Sequence, residues 1–498
     1  MTGDGSISAG LGPRSAAGLV FFASGSVLVL EILSLRLVAP YLGLTLQTST
    51  AVIGFALAAI ATGAWVGGRI ADRIAPQRLL GPILLASGVL VLFVGPSVRW
   101  TGEQVRGGDV SAVLLMAAVA VFIPAALLSA ITPMVVKLRL GTLSETGTVV
   151  GRLSGIATVG ALVATFVTGF LLVAAMPTSV ILLILGGVLI ALGATLTIRL
   201  RNATALVGPL ALAVIGATAA MAAPTPCDVE TAYHCALIVR DDNRPTGRTL
   251  QLDTLHHSYV DLADPTYLSF SYIRGIASVV DASKQGPVRG LHLGGGGVTF
   301  PRYLSATRPG SENLVLEIDR GVVDLDVGRL GLNVGEGLAV RIQDARVGLA
   351  EETSSSRDLV VGDAFGGLTV PWHLTTRETV AEVQRVLVPG GLYLVNVIDY
   401  PPMDFARAEV ATIADVFPHV AMLARPPVLE GSDGGNLVIV ASDQPVATEE
   451  IELQLARRAP ELDLQSEPTA VAEFAGDARV LTDDFAPVDQ LFTPYSQR

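Results

Sequence analysis

Seven long apolar stretches in the first half of the chain constrain its fold more than any other feature. Each is close to the ~20 residues that an α-helix needs to cross a bilayer, and the first is too long for a signal-peptide core. They occupy residues 17–40, 50–69, 79–98, 110–136, 150–175, 178–198 and 204–223. We therefore predict an α-helical membrane domain over residues 16–223, preceded by a polar, disordered tail over residues 1–15.

Basic residues in the short loops predict the orientation of this membrane domain. If the N-terminus is cytoplasmic, the outer loops carry only Arg99 and Arg106, whereas the cytoplasmic side carries nine Lys/Arg residues. These nine are Arg14, Arg69, Arg73, Arg78, Lys137, Arg139, Arg152, Arg199 and Arg201. Since an odd number of spans ends on the side opposite its start, we expect residues 227–498 to be extracytoplasmic.

The charge is divided unevenly between the two halves of the chain. Residues 1–226 contain 12 Lys/Arg and 6 Asp/Glu, whereas residues 227–498 contain 21 Lys/Arg and 39 Asp/Glu. Because binding of a phosphate backbone needs clustered Lys/Arg, we expect no nucleic-acid partner. An acidic domain is compatible with cationic small molecules, although acidity that serves only solubility explains the composition equally well.

The only two cysteines, Cys227 and Cys235, directly follow the seventh apolar stretch. Paired cysteines persist as disulfides outside the cytoplasm, which agrees with the predicted orientation. The alternative is a metal site, but two thiols with one neighbouring His234 make a poor one. We predict a structural disulfide at this juncture. We predict no metal site, because the sequence contains no HExxH motif and no Cys/His cluster.

Two ionisable residues, Glu31 and Arg36, lie within the first apolar stretch. Charges inside a membrane are costly and are by default functional hypotheses. Arg36 lies near the predicted outer end, where its side chain can reach the interface, whereas Glu31 is deeper and needs a partner or a wet cavity. The two side chains point roughly 140° apart on an ideal helix, so they are not expected to pair with each other. Transport by the membrane half stays open.

The acidic half alternates between strand-like and helix-like segments. Short strands are predicted within residues 236–262, a helix over residues 264–280, and then seven apolar runs with helix-like stretches between most of them. The runs are 288–293, 313–318, 338–343, 358–362, 391–398, 418–424 and 436–441. This alternation is typical of a doubly wound parallel sheet with helices on both faces. We predict a juncture and β region over residues 224–285 and a Rossmann-type α/β domain over residues 286–498.

Acidic residues follow successive strands of this predicted sheet. The first strand runs into Gly294–Gly297, the second ends at Glu317 and Asp319, and the third and fourth are followed by Asp344-Ala345 and Asp363. A glycine turn lets backbone approach a nucleoside closely, and an acid about 20 residues later accepts hydrogen bonds from ribose. The alternatives are a tight turn without a ligand and, for Asp344 and Asp363, a helix N-cap.

Six segments of this half resemble the spermidine synthases, polyamine aminopropyltransferases of the S-adenosylmethionine-type methyltransferase fold. They are LHLGGGGVTFPRYL, NLVLEIDRGVV, IQDARVGL, DLVVGDAFGG, VQRVLVPGGLYLVNV and LTDDFAPVDQLF. The resemblance covers roughly residues 250–495, and the preceding apolar half resembles the transporter-like segment of bacterial membrane proteins that carry such a domain.

The resemblance implies a chemistry and assigns residues to it. The co-substrate would be decarboxylated S-adenosylmethionine, with no tightly bound cofactor, and the acceptor a polyamine-type amine. Glu317 would hold the ribose, Asp344 would contact the adenine, and Asp363 would be the general base. The nucleoside set is Gly294, Gly295, Gly296, Gly297, Glu317, Asp319, Asp344 and Ala345. The family commonly forms dimers, so a homodimer is expected.

Several positions on the amine side differ from the family pattern. Gly297 replaces an acid of the Gly-Gly-Gly-Asp motif, Gly366 replaces the second acid of Asp-x-x-Asp, and Leu268-Ser269 replaces a Tyr-His pair. His257 occupies a Gln position, and because adjacent strand residues face opposite sides, His256 and His257 cannot both line one site. Asp483 and Asp484 match acids near the family's C-terminus.

These patterns support three hypotheses. The first is a membrane-anchored aminopropyltransferase whose base is Asp363. The second is a catalytically degenerate domain that binds or senses a nucleoside or polyamine and regulates the membrane half. The third is a transporter whose soluble domain gates or scavenges, in which case Glu31→Gln would alter flux.

Overall fold

The computed structural model describes residues 11–43, 45–105, 110–140, 142–199, 207–222, 226–335, 337–365 and 369–493. The chain forms two compact units, Met1–Pro226 and Cys227–Arg498. Gly366 lies outside the described residues, as do residues 1–10 of the predicted tail.

The first unit is helical. Its helices are α1 (Pro13–Leu42), α2 (Leu46–Arg73), α3 (Pro76–Val105), α4 (Val110–Ala117), α5 (Ile123–Ser129), α6 (Ile131–Arg139), α7 (Thr146–Val167), α8 (Val173–Ala175), α9 (Thr178–Arg199) and α10 (Val207–Ala222). π-helical turns at Ala118–Phe122 and Thr168–Leu172 connect α4 to α5 and α7 to α8. A 3₁₀ turn at Leu143–Glu145 precedes α7.

Six helical stretches of this unit are long and apolar enough to cross a membrane. They are Pro13–Leu42, Leu46–Arg73, Pro76–Val105, Ser111–Arg139, Leu143–Ala175 and Thr178–Arg199. The seventh predicted span, residues 204–223, contains α10, of which the structure describes 16 residues.

Small residues bring the helices of this unit into close contact. A Cβ atom at Gly63 of α2 would lie 2.0 Å from the carbonyl oxygen of Ala126 in α5. A Cβ at Gly160 of α7 would lie 2.3 Å from the carbonyl oxygen of Phe21 in α1. Close backbone approach of this kind is how helices associate in an apolar environment, where burial of side chains provides no driving force.

The two ionisable residues of the first helix occupy different surroundings. Arg36 donates from Nε to the hydroxyl of Thr178 at 3.3 Å. Glu31 is half-buried, and none of the hydrogen bonds or ion pairs among the described residues involves its carboxylate.

The second unit begins with a small antiparallel sheet. Its strands pair in chain order and are β1 (Val229–Glu230), β2 (Cys235–Arg240), β3 (Gly247–Leu252) and β4 (Leu255–Asp261). Cys227 and Cys235 form a disulfide across the first pair, with their Cα atoms 5.2 Å apart, as the sequence predicted.

Eight further strands form the main sheet of the second unit. They are β5 (Arg289–Leu293), β6 (Glu312–Glu317), β7 (Leu338–Ile342), β8 (Arg357–Gly362), β9 (Leu387–Asp399), β10 (His419–Ala424), β11 (Gly435–Ser442) and β12 (Asp463–Gln465). The order across the sheet is β12-β10-β11-β9-β8-β5-β6-β7. Neighbouring residues of β8 contribute to different cores, Val360 to one and Val361 to another, because the sheet is covered on both faces.

Within the described part of this unit, ten helices connect and cover these strands. They are α11 (Ser271–Ser283), α12 (Thr299–Thr307), α13 (Arg320–Arg329), α14 (Ala345–Glu351), α15 (Arg377–Val386), α16 (Asp404–Ala414), α17 (Pro426–Leu429), α18 (Thr448–Arg458), α19 (Pro468–Ala475) and α20 (Val488–Leu491). A 3₁₀ turn lies at Trp372–Leu374.

The predicted parallel pairing holds for only part of the sheet. Strands β9, β8, β5, β6 and β7 pair in parallel, but β11 is antiparallel to both of its neighbours and β12 is antiparallel to β10. Parallel strands need a crossover of a dozen or more residues. The connection from β10 to β11 holds only the four-residue α17, so the chain returns in the opposite direction.

The predicted helix over residues 264–280 begins later than expected, at Ser271. Asp264 instead forms a turn, in which its carboxylate accepts hydrogen bonds from the backbone N–H and the hydroxyl of Thr266. Asp side chains favour such turns because they satisfy nearby backbone groups outside a helix. Pro265, the next residue, cannot donate a backbone hydrogen bond to a helix.

Candidate active site

The glycine turn after β5 adopts backbone conformations that favour glycine. Gly294 and Gly296 have φ angles of 95° and 47°. A Cβ atom at Gly294 would lie 2.5 Å from the carbonyl oxygen of Asp363, so the turn and the end of β8 approach through backbone alone. This turn joins β5 to α12 and places exposed backbone at the carboxyl edge of the parallel strands, where ligands of such sheets bind.

Glu317, at the end of β6, makes three hydrogen bonds with neighbouring backbone. Its Oε2 accepts from the N–H of Gly295 at 2.8 Å and of Gly296 at 3.4 Å, and its Oε1 accepts from the N–H of Asp319 at 2.8 Å. An ionised carboxylate offers about four acceptor positions. The half-buried Glu317 therefore fixes the glycine turn and retains acceptor capacity for a ligand hydroxyl.

Asp319 is more enclosed than Glu317. Its side chain is 1% exposed. Its Oδ1 accepts from the N–H of Gly321 at 2.9 Å and caps helix α13, while its Oδ2 accepts from the hydroxyl of Thr231. The carboxylate is thus used within the protein, as an anchor between α13 and the loop that precedes β2.

Asp344 is both a helix cap and a partly exposed carboxylate. Its Oδ1 accepts from the N–H groups of Arg346 at 2.9 Å and Val347 at 3.1 Å at the start of α14. Its Oδ2 lies 3.2 Å from Nε2 of His373, and its side chain remains 32% exposed. The N-cap reading of Asp344 is therefore correct, and it leaves one face of the carboxylate accessible. The neighbouring Ala345 is buried.

Asp363, directly after β8, is held by two side chains. Its Oδ1 accepts from the amide Nδ2 of Asn396 at 2.9 Å, and its Oδ2 accepts from the hydroxyl of Tyr272 at 3.0 Å. Asn396 is in turn oriented by Asn436, whose Nδ2 donates to Oδ1 of Asn396 at 3.0 Å. Burial raises the pKa of Asp363 to about 6, although both hydrogen bonds act in the opposite direction. Asp363 caps none of the described helices.

A cavity lies between the glycine turn and Asp363. Its polar lining includes Asp363, Ser258 and Ser269, and its apolar lining includes Phe270 and Phe300. Asp363 is the only carboxylate among the described lining residues. His292 also lines the cavity, and burial lowers its pKa to about 4, so the imidazole is neutral at neutral pH. The cavity offers one negative charge in largely neutral surroundings.

Gly297 has no room for the acid that the family pattern places there. A Cβ atom at this position would lie 2.9 Å from Cβ of Ser258 and 3.0 Å from Cγ2 of Val260. The N–H of Gly297 donates to the hydroxyl of Ser258 at 2.9 Å. Strand β4 therefore fills the space of the missing side chain and satisfies the backbone group beside it.

The remaining predicted site residues are not among the described residues that line this cavity. His257 is half-buried, with its ring 6.1 Å from that of Phe365, and burial lowers its pKa to about 3. His256 is exposed, as expected for opposite faces of a strand. Asp483 forms an ion pair with Arg346 and accepts from the hydroxyl of Thr376 at 2.7 Å. Asp484 is exposed.

Of the two residues that replace the Tyr-His pair, Ser269 lines the cavity and Leu268 is buried in a hydrophobic core. The described residues contain no group of three or more His, Cys, Asp or Glu side chains that could hold a metal ion.

Tyr272, Asn396 and Asn436 are the site residues that sequence reasoning missed. Tyr272 lies 91 positions before Asp363, and Asn396 lies 33 positions after it. Asn396 and Asn436 are polar residues beside the apolar runs of β9 and β11, whereas Tyr272 lies in the mixed helix α11. That contrast is a signal, because buried polar side chains need partners, but it does not indicate which partner.

The comparisons with known proteins concern the second unit. A polyamine aminopropyltransferase from Vibrio vulnificus (strain CMCP6) is 27% identical over 216 residues, which cover 41% of this chain and 70% of that protein. The crystal structure of a probable spermidine synthase from Corynebacterium glutamicum ATCC 13032 is 30% identical, with a TM-score of 0.48, and covers 52% of this chain and 97% of that chain. No protein-family model matches the chain.

A solved spermidine synthase in complex with the transition-state analogue AdoDATO is 15% identical, has a TM-score of 0.35, and covers 53% of this chain and 86% of that chain. The C-terminal part of this chain is thus homologous to the spermidine synthases.

Proposed function

We propose that the protein transfers an aminopropyl group from decarboxylated S-adenosylmethionine to a polyamine-type amine. The observation that carries this proposal is the placement of Asp363 beside the glycine turn, held between Tyr272 and Asn396. The name of the Vibrio relative supports the reaction type. No tightly bound cofactor is needed, because both reactants are small molecules that leave as products.

The proposed reaction uses Asp363 as the general base. A protonated amine has no lone pair, so the carboxylate first accepts a proton from the acceptor nitrogen. The nitrogen then attacks the aminopropyl carbon bonded to sulfur, a C–N bond forms, and the C–S bond breaks with its electron pair on sulfur. The sulfonium becomes a neutral thioether, 5′-methylthioadenosine. With its pKa raised to about 6, Asp363 is largely ionised at neutral pH and can accept the proton.

The nucleoside would lie along the edge formed by the glycine turn, Glu317 and Asp344. Glu317 would accept hydrogen bonds from the ribose hydroxyls with the acceptor capacity that the glycine turn leaves free. The exposed face of Asp344 would accept from the adenine amino group. Asp319 is proposed to support the nucleoside site without contacting the nucleoside, since its carboxylate is buried and hydrogen-bonded to Thr231 and Gly321.

The test is a product assay on the full-length protein in detergent. Incubation with decarboxylated S-adenosylmethionine and 1,4-diaminobutane is expected to yield 5′-methylthioadenosine and the aminopropylated amine in equal amounts, both measured by mass spectrometry. Methylthioadenosine without the amine product would indicate hydrolysis instead. The absence of both products, together with no binding of methylthioadenosine, would overturn the proposal.

A second candidate function is nucleoside or polyamine binding without turnover. The observation that favours it is the space at Gly297, which Ser258 and Val260 occupy where the family pattern places an acid. Such a domain would sense its ligand and act on the membrane half. Binding of methylthioadenosine without product in the same assay would support this function over transfer.

We also propose that the first unit spans a cell membrane, with the N-terminus in the cytoplasm and the second unit outside. The basic residues of the loops and the Cys227–Cys235 disulfide support this orientation. The side of the membrane on which the second unit lies depends on whether α10 crosses the bilayer after the six longer helical stretches. An alkaline phosphatase fused after Pro226 is expected to be active, and an inactive fusion would place the second unit in the cytoplasm.

A further inference from the structure

The disulfide closes a short loop, Cys227–Cys235, that is anchored to the nucleoside edge of the sheet. Within it, Thr231 donates its hydroxyl to the carboxylate of Asp319 at the end of β6. A Cβ atom at Gly321, in the first turn of α13, would lie 2.7 Å from Cγ2 of Thr231, so the loop is packed directly against that turn. We call residues 227–235 the disulfide loop.

A second anchor holds the C-terminal end of the disulfide loop. The carboxylate of Asp253 accepts from the N–H of Cys235 at 3.0 Å and lies 2.9 Å from Nδ1 of His234. The ring of His234 is 6.2 Å from that of His257, which in turn is 6.1 Å from the ring of Phe365. The disulfide loop thus continues into a row of rings that reaches the segment after Asp363.

Tyr233 is the exposed aromatic residue of this loop. Its side chain is 47% exposed although the residues on both sides of it are anchored. Burial of the rest of the ring, followed by the charges of Asp319, Asp344 and Glu317, raises the pKa of its hydroxyl. The backbone N–H of Tyr233 donates to the hydroxyl of Thr231 at 3.2 Å, and the same hydroxyl binds Asp319 at the end of β6, so Tyr233 lies beside the nucleoside edge.

We propose that Tyr233 forms the outer wall of the nucleoside site and stacks on the base of the bound nucleoside, held in place by the disulfide loop. This inference rests on the proposed function, because it assigns a residue to the same site. Two elements of the family resemblance, Glu317 and Asp344, supply polar contacts to the nucleoside but no apolar surface for the base. An exposed ring on a doubly anchored loop supplies that surface at little cost in conformational entropy.

Stacking predicts a particular pattern of effects on binding of 5′-methylthioadenosine. Removal of an aromatic ring that stacks on a base weakens binding by about tenfold, within the range known for such contacts. We therefore expect Tyr233→Ala to raise the Kd of the full-length protein about tenfold, measured by isothermal titration calorimetry. Tyr233→Phe keeps the ring, and its Kd is expected to stay within about twofold of the unchanged protein.

Tyr267 provides a matched control. It is also an exposed tyrosine of the second unit, but its ring packs on the guanidinium of Arg244, 3.8 Å from the ring centroid. Tyr267→Ala is expected to leave the Kd for methylthioadenosine unchanged. Thermal unfolding without nucleoside would show that each variant is folded, and Tyr233→Leu is available if the alanine variant is not.

The anchoring role of the disulfide is tested separately with Cys227→Ser/Cys235→Ser. Loss of preorganisation of the loop is expected to raise the Kd by about threefold, less than loss of the ring itself. If the unchanged protein binds methylthioadenosine and Tyr233→Ala binds equally well, the wall assignment is wrong while the proposed function stands. If the unchanged protein neither binds methylthioadenosine nor forms the two products, the proposed function fails and this inference fails with it.

Discussion

The nucleoside side and the amine side of the candidate site are built differently. On the nucleoside side, backbone N–H groups hold the carboxylates: those of the glycine turn bind Glu317, and those of the first turn of α14 bind Asp344. The amine side consists of side chains from separate elements that meet at Asp363. The contrast teaches that carboxylates held by backbone N–H groups keep their positions as long as the fold does, whereas a carboxylate held by distant side chains loses its position when one of those side chains is substituted.

The difference is visible at Gly297, where the two sides meet. The N–H of Gly297 is part of the glycine turn. The acid that the family pattern places at this position is on the amine side, and Ser258 occupies the space of that acid. The amine side retains one carboxylate, Asp363, among its described lining residues. We therefore expect substitutions on the two sides to separate binding of the nucleoside from chemistry on the amine.

The largest expected effect comes from Asp363→Asn on the amine side. Loss of the general base should lower kcat by about 10²–10⁴-fold, while the Kd for methylthioadenosine stays within about twofold. Asp358→Asn, at the opposite end of β8, removes a carboxylate that pairs with Arg289 and serves as the control. Turnover by Asp363→Asn close to that of the unchanged protein, with the fold intact, would show that Asp363 is not the base.

The next effect is expected from Glu317→Gln on the nucleoside side. The amide replaces a charge-assisted acceptor, so the Kd for methylthioadenosine should rise by about tenfold or more. Turnover at saturating donor should fall much less. Glu312→Gln, an exposed residue at the start of the same strand, should leave both quantities unchanged. A large loss of kcat at saturating donor with an unchanged Kd would remove the distinction between the two sides.

Gly297→Asp tests how firmly the missing acid is excluded. Its Cβ would lie 2.9 Å from Cβ of Ser258, so we expect a loss of about 1–3 kcal/mol in the free energy of unfolding. In a double-mutant cycle with Ser258→Gly, the two losses should be less than additive, because the second substitution relieves the contact. Chemical denaturation of all four proteins measures this coupling. Additive losses would show that Ser258 does not fill the space of the acid.

The smallest expected effect is a change in the pH dependence of kcat. A general base must be ionised, and burial raises the pKa of Asp363 to about 6, so kcat should fall as the pH is lowered through about 6. The hydrogen bond from Tyr272 lowers this pKa, so its removal in Tyr272→Phe should raise the pKa further and shift the midpoint to higher pH. A pH–rate profile with an unchanged or lower midpoint would contradict the assignment.

Sequence reasoning was most successful where local spacing determines structure. The glycine turn, the ends of β6 and β8, and the positions of Glu317 and Asp363 follow from short apolar runs and the residues that interrupt them. The same holds for the disulfide, since two cysteines eight positions apart need little of the fold to meet. These features depend on a few neighbouring residues each.

Contacts between distant segments could not be predicted in this way. Ser258 and Gly297 are 39 positions apart, and nothing in either segment indicates that β4 lies against the glycine turn. The antiparallel β11 depends on a short connection whose effect appears only once the neighbouring strands are in place. The start of α11 depends on the turn at Asp264, which competes with a helical pattern that extends further towards the N-terminus.

The most direct test of the difference between the two sides compares two ligands on the same full-length protein. Isothermal titration calorimetry with 5′-methylthioadenosine and, separately, with 1,4-diaminobutane measures each side alone. The carboxylates of the nucleoside side are held by backbone, whereas the amine side has one carboxylate among its described lining residues. We therefore expect the Kd for the nucleoside to be at least about tenfold lower than that for the diamine. A diamine that binds as tightly as the nucleoside, or more tightly, would contradict the account.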